Sequence, residues 1–203
     1  MEFWNSLLTE KSWKILQEFS RKYKFTLIGG WAVYLWARQQ KSKDIDIVVD
    51  IKELQKLKQE NLAKNDRLRK YEIKIDEIDI DIYVSYFSIL VIPAENIIKY
   101  TSKLEGFNVV IPEALLVLKQ GAEIDRRHSI KGEKDMIDIM SLLLLGKIDF
   151  SIYRDILREH KLEGYIGELI SLIRSFQDYS VFSLSPRELK LRKKSIIDEL
   201  KKL

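Results

Sequence analysis

The 203-residue chain contains no cysteine and only two histidines. Without cysteine it forms neither a disulfide framework nor a thiolate metal site, and two isolated histidines argue against a zinc centre. Any metal chemistry in this chain is therefore expected to use oxygen ligands, which the abundant aspartates and glutamates supply.

Long hydrophobic runs are also missing. No stretch reaches the roughly 18 apolar residues of a membrane span, and the longest apolar run, near Leu142–Leu145, belongs to an amphipathic helical pattern. The N-terminal sequence Met1–Asn5 lacks the basic-then-apolar form of a secretion signal. With 46% hydrophobic residues, the chain is expected to form a core with an appended helical layer in a cytoplasmic protein.

The most informative segment joins a glycine pair to two aspartates. An apolar, β-favouring run precedes Gly29 and Gly30, and a helical pattern follows them. Asp44 and Asp46 then stand two residues apart in a second β-favouring run, so both side chains leave the same face of a strand. The predicted order is strand, glycine turn, helix and second strand, with two carboxylates on one exposed edge.

This arrangement has a chemical explanation. Two ionised carboxylates about 6 to 7 Å apart along a strand repel each other unless a cation lies between them. Carboxylates suit Mg²⁺, which completes its coordination shell with water and substrate phosphates. Backbone N–H groups at Gly29 and Gly30 can hold the same phosphates, because no Cβ blocks their approach. We therefore predict one site for magnesium and a triphosphate, with Ser42 and Lys43 as further phosphate contacts.

The glycine pair, the spacer and the segment Asp44–Ile47 resemble the signature of the nucleotidyltransferase superfamily typified by DNA polymerase beta. The resemblance implies an α+β fold, with a mixed β-sheet nucleotidyltransferase core flanked by helices and followed by a C-terminal helical region. It also implies a third catalytic, metal-binding aspartate on a later strand. Asp79 and Asp81 both fit that role, and although we favour Asp81 slightly, the spacing does not separate them.

A second likeness covers the segment from Pro112 to Asp138. It resembles the helical region of small prokaryotic nucleotidyltransferases related to abortive-infection toxins and to antibiotic-modifying enzymes. In those proteins a lysine, an arginine and a Lys-Asp-x-x-Asp segment follow the catalytic sheet. On this resemblance Lys119 and Lys134 are expected to contact the nucleotide.

The remaining pattern predicts the element order. Helices are expected over 6–23 and 52–64, strands over 71–75 and 78–84, and an edge strand over 107–111. Residues 93–106 are expected to hold a short helix or loop. From Pro112 onward the chain is predicted to be helical, with breaks at Gly146 and Pro186. These features predict a catalytic domain over 1–111 and a helical C-terminal domain over 112–203.

The predicted activity is Mg²⁺-dependent nucleotidyl transfer. Two Mg²⁺ ions held by the aspartates would clamp a nucleoside triphosphate such as ATP, while an acceptor hydroxyl attacks the α-phosphorus and pyrophosphate leaves. The acceptor is expected to be RNA such as tRNA, a protein or a small molecule, and the likeness to abortive-infection proteins suggests a toxin–antitoxin component. The alternative is an inactive nucleotide-binding or antitoxin-type partner with the same fold. A net charge of +4, with cations concentrated in 187–194 and 201–202, is compatible with an RNA or nucleotide partner.

Overall fold

The structure, a computed structural model, describes residues 5–203. The expectation about secretion rests on Met1–Asn5, and of these residues only Asn5 lies within the described part of the chain. The described chain divides into two compact units between Ile111 and Pro112.

The first unit combines four helices with a mixed sheet within residues 5–111. The helices are α1 (Ser6–Lys22), α2 (Gly29–Ala37), α3 (Ile51–Leu57) and α4 (Ala94–Ile97). The strands are β1 (Thr26–Ile28), β2 (Ile45–Val49), β3 (Ala63–Asn65), β4 (Lys70–Ile75), β5 (Ile78–Val84), β6 (Thr101–Leu104) and β7 (Phe107–Val110). They form one sheet in the order β3-β4-β5-β2-β1-β7-β6, which confirms the predicted α+β class.

Strand β2 lies in the middle of this sheet. It pairs antiparallel with β1 and parallel with β5. Ile45 and Ile47 are fully buried, whereas Asp44 and Asp46 are partly exposed. The alternation predicted for this segment is therefore confirmed, and it places the acidic side chains on the face opposite the isoleucines.

Aromatic packing fixes helix α2 beside helix α1. The rings of Trp13 and Trp31 lie 4.9 Å apart, and the buried Trp31 donates a 2.9 Å hydrogen bond from Nε1 to Oγ of Ser12. Buried aromatic rings contribute large apolar area, and the hydrogen bond satisfies the one polar atom of the indole. The helix that follows the glycine pair is thus held rigidly at its first turn.

Three element predictions in this unit were wrong in whole or in part. The helix predicted over 52–64 ends at Leu57, because residues 63–65 pair with β4 as strand β3, and tertiary pairing overrides helix propensity. Residues 93–106, predicted to hold a short helix or loop, do contain the short helix α4, but residues 101–104 form β6. The strand at 107–110 is therefore internal, between β1 and β6, and is not an edge. The missed signal is the Glu105–Gly106 turn, where both residues have positive φ as a tight hairpin requires.

The second unit is helical. Its helices are α5 (Pro112–Arg126), α6 (Ile130–Leu145), α7 (Phe150–Glu159), α8 (Tyr165–Ser175) and α9 (Pro186–Leu200), with a short 3₁₀ turn at Ser180–Phe182. Pro112 and Pro186 each occupy the first helical position, as predicted, and Ser185 adds a capping box to α9. Further breaks that the sequence pattern did not predict separate α5 from α6 and α7 from α8. Within residues 5–203, no helix is both long and apolar enough to cross a membrane.

Candidate active site

The turn from β1 into α2 brings a glycine against an aspartate. Ile28, the last residue of β1, pairs with Asp46 across the sheet. Gly29 follows with φ +67°, and a Cβ at this position would overlap Oδ2 of Asp46 and lie 2.6 Å from its Cγ. Only glycine permits both the backbone conformation and this close approach. The predicted glycine turn and the predicted acid are therefore direct neighbours.

The first turn of α2 presents backbone donors at this place. Among the described residues, no side chain caps this helix terminus, and its first turn contains no acidic residue. The first N–H groups of a helix have no partner inside the helix and carry the positive end of its dipole. An anion near Gly29 would meet both features.

A row of carboxylates crosses three adjacent strands. Asp46 of β2 pairs with Asp81 of β5, and Asp81 in turn pairs with Glu72 of β4. Adjacent strands lie about 4.8 Å apart, and directly paired residues point to the same face. The three acidic side chains therefore stand side by side on the face that Gly29 adjoins.

Lys70 of β4 neutralises part of this row. Its Nζ lies 2.6 Å from Oδ2 of Asp81 and 3.0 Å from Oε1 of Glu72, and its side chain is only 12% exposed. Burial acts to lower the pKa of Lys70, but its two ion pairs outweigh burial and raise the pKa above the ordinary value. Lys70 is therefore a fixed positive charge in the row.

The acidity of Asp81 is shifted by its surroundings. Burial, followed by repulsion from Asp46, raises its pKa to about 6, although the bond to Lys70 opposes this shift. Two carboxylates that share a site raise the pKa of one of them in this way. The interaction shows that Asp46 and Asp81 are close enough to act electrostatically as a pair.

The other acidic and polar residues predicted for the first unit differ in setting. Asp44 immediately precedes β2 and is partly exposed. Asp79 pairs with the exposed Lys74 of β4 and lies two residues before Asp81 on the same face of β5. Ser42 is buried and Lys43 partly exposed in the segment that leads to β2. The sheet register thus brings Asp81, and not Asp79, directly beside Asp46.

The acidic row is not a preformed metal cage. Across residues 5–203, no three acidic, histidine or cysteine side chains converge closely enough to hold a metal ion. Magnesium needs only one or two protein carboxylates when phosphates and water complete its shell. The oxygen donors of Asp44, Asp46 and Asp81 fit such a site by their chemistry, and the roles predicted for them stay predictions.

Lys119 and Lys134 lie in a different setting, within the second unit. Lys119, 7% exposed, contacts Asp138 at 2.7 Å and Asp135 at 3.2 Å, and Arg126 reaches the other oxygen of Asp135 at 2.6 Å. Lys134 contacts Asp138 at 3.4 Å. These five side chains form an ion cluster that joins α5 to α6, in which Lys119, Asp135 and Asp138 are buried and Arg126 is exposed. The nucleotide contacts predicted for the two lysines stay predictions.

The charges in this cluster stabilise one another. Burial acts to raise the pKa of Asp138, but attraction from Lys119 and then from Lys134 outweighs it and lowers the pKa. A buried aspartate can stay ionised only when cations are placed against it in this way. The cluster is therefore a structural feature of the second unit in its own right.

Lys70 and Glu72 are the site residues that the sequence interpretation missed. A signal was present, because Lys70, Glu72 and Lys74 alternate with apolar or aromatic residues and so share one face of β4. The pairing of that face with the acids of β5 is set by sheet register, which the local pattern does not contain.

Comparison with known proteins identifies the fold. No protein-family model and no curated protein matches the chain. A structure described as a candidate nucleotidyltransferase from H. pylori matches 97% of this chain and 96% of its own, with 18% identity and a TM-score of 0.50. The chain has the nucleotidyltransferase fold.

Two further structures match at TM-scores below 0.5. JHP933 from Helicobacter pylori has 18% identity and a TM-score of 0.48, and the match covers 97% of this chain and 93% of that one. The Megavirus polyadenylate synthase has 16% identity and a TM-score of 0.47, over 70% of this chain and 32% of that one.

Proposed function

We propose that this chain is a magnesium-dependent nucleotidyltransferase that moves a nucleoside monophosphate from a nucleoside triphosphate to an acceptor hydroxyl. The observation that carries the proposal is the contact between Gly29 and Asp46, with Asp81 paired beside Asp46. In the nucleotidyltransferase fold this combination offers phosphate-binding N–H groups and metal-binding carboxylates at one place.

Each part of the site has a distinct task. The N–H groups at Gly29 and Gly30 bind and orient the β- and γ-phosphates. Asp44 and Asp46 would hold Mg²⁺, which when bound would neutralise the triphosphate and polarise the reacting phosphorus. Asp81 would help to hold the metal and would accept the proton of the acceptor hydroxyl, since a general base works best with a pKa near the working pH and the pKa of Asp81 is raised to about 6.

We further propose that the acceptor is an RNA. The support is a groove of about 620 Å³ in the second unit, between the end of α8 and helix α9. Its charged lining residues are five cations and one acid: Arg174, Lys190, Lys193, Lys194, Lys201 and Asp198. The exposed ring of Tyr179 lies in the same groove, and a basic groove with an exposed aromatic ring suits a single strand of nucleic acid.

A second function is favoured by one observation. Lys70 already occupies Oδ2 of Asp81, as expected for a site that binds a nucleotide without turning it over. In that case the chain would act through a partner protein, for example as the antitoxin of a toxin–antitoxin pair, whereas an active enzyme would fit the toxin.

The test is to incubate the protein with Mg²⁺, each α-labelled triphosphate in turn, and total RNA, and then to measure pyrophosphate and labelled RNA. The Asp46→Asn variant should lose at least about 100-fold in rate, because electrostatic catalysis depends on that charge. Asp66→Asn, at an exposed turn, is the matched control and should retain activity. Triphosphate binding without pyrophosphate release would favour the inactive partner protein instead.

A further inference from the structure

Lys70 is the half-buried cation of the acidic row, and its contacts define what it does. Its Nζ is within 3.0 Å of carboxylate oxygens from both Asp81 and Glu72. Asn65 donates from Nδ2 to the same Glu72 oxygen at 3.0 Å. The lysine head thus bridges Asp81 and Glu72, and Asn65 fixes the Glu72 oxygen that it contacts.

The charges in the row do not balance without this lysine. Asp46, Asp81 and Glu72 occupy paired positions on three neighbouring strands, and each pair of carboxylates repels. Both neighbours of Asp81 are therefore acidic, and the ammonium of Lys70 lies against the middle carboxylate of the three. Removal of its charge would leave Asp81 between two like charges with little exposure to water.

We propose that Lys70 is the resident counter-cation of this carboxylate row. Its ammonium group holds Asp81 in place when no metal is bound, and a divalent cation that binds at the row must then share Asp81 with Lys70. The second half rests on the proposed function. Because the ammonium repels an incoming cation, the site should bind Mg²⁺ weakly until a triphosphate adds its own negative charge. Lys70 is thus a positioning residue for Asp81.

The first half is tested without metal, by a double-mutant cycle in EDTA. Stability to urea is measured for the wild type, Lys70→Met, Asp46→Asn and the double variant. We expect the drop in urea midpoint caused by Lys70→Met to be smaller in the Asp46→Asn background, because one of the two repulsions on Asp81 that Lys70 offsets is then removed while that from Glu72 remains. Lys70→Arg, which keeps the charge, should lie close to the wild type.

Equal drops in both backgrounds would overturn the proposal. The urea midpoint of Lys70→Gln is measured in parallel. Glutamine is polar and neutral, so this variant also removes the charge and can replace Lys70→Met if the methionine variant does not fold. If neither neutral variant folds even with Asp46→Asn, Lys70 acts through something other than the charge of Asp46, and the proposal also falls.

The second half is tested by titration of Mg²⁺ in the absence of nucleotide, with the shift in melting temperature as the measure of binding. In Lys70→Met the Mg²⁺ concentration at half-saturation should fall about tenfold, which is the effect of a nearby unit charge at moderate screening. Lys74→Met removes an exposed charge from the same strand and should not change it. Unchanged or weaker Mg²⁺ binding in Lys70→Met would overturn this half.

The two proposals fail separately. If the wild type releases no pyrophosphate with any triphosphate, the proposed activity is wrong, but the cycle in EDTA still decides whether Lys70 acts as the counter-cation. If the wild type is active and the cycle shows no coupling, only the inference about Lys70 is wrong.

Discussion

Replacement of Gly29 by alanine should damage stability and activity together, and the structure separates the causes. The residue has φ +67°, which costs an L-residue about 1 to 2 kcal/mol. In addition the new Cβ would lie 2.7 Å from Cβ of Asp46, well short of the 3.4 Å at which ordinary contacts begin. A change of rotamer does not move that atom, so β1 and β2 must shift, at a further cost of about 1 to 3 kcal/mol.

Gly106 provides the matched control. Its φ is +84°, but a Cβ there would meet nothing within 4 Å. Gly106→Ala should therefore carry the backbone cost alone, about 1 to 2 kcal/mol. The difference between the two variants in urea unfolding isolates the collision with Asp46, and we expect it to be about 1 to 3 kcal/mol.

The same comparison predicts the effect on nucleotidyl transfer. Displacement of Asp46 by even part of an ångström should lower the rate about 100-fold in Gly29→Ala, whereas Gly106→Ala should retain near-normal activity at temperatures where it is folded. Pyrophosphate release is the assay. Equal stability losses and equal rates in the two variants would refute the close approach between the glycine turn and the aspartate.

Three further outcomes follow from the second unit. Asp138→Asn should cost about 3 kcal/mol in urea unfolding, because it leaves a buried lysine without part of its neutralising charge. Since the lysines lower the pKa of Asp138, its ion pairs stabilise the fold at pH values above the unfolded-state pKa near 4. This stabilisation is lost as the pH falls through the lower pKa of the folded state. In an acid titration, the free energy of unfolding should therefore fall less steeply with pH in Asp138→Asn than in the wild type. Alanine at both Lys190 and Lys194 should reduce the salt dependence of RNA binding by about 0.7 in log–log slope per lysine, measured by fluorescence anisotropy, whereas alanine at Lys147 and Lys161 outside the groove should not.

The sequence predicted the local parts of the site. Glycines between a β-favouring and a helical run predict a tight strand-to-helix turn, and Gly29 begins α2 in that way. The alternation around Asp44 and Asp46 predicts one acidic face, because neighbouring side chains on a strand point in opposite directions. Both signals depend only on residues close together in the chain, so they can be read without a fold.

Tertiary structure decided which acids stand together. Asp79 and Asp81 share one strand face and have the same local pattern, and only the parallel register of β2 with β5 places Asp81 beside Asp46. The same register, continued to β4, brings Lys70 to Asp81, and the pairing of residues 63–65 overrode their helical pattern. Register is fixed by contacts between segments far apart in sequence, where a shift of two residues preserves every local pattern but changes every neighbour.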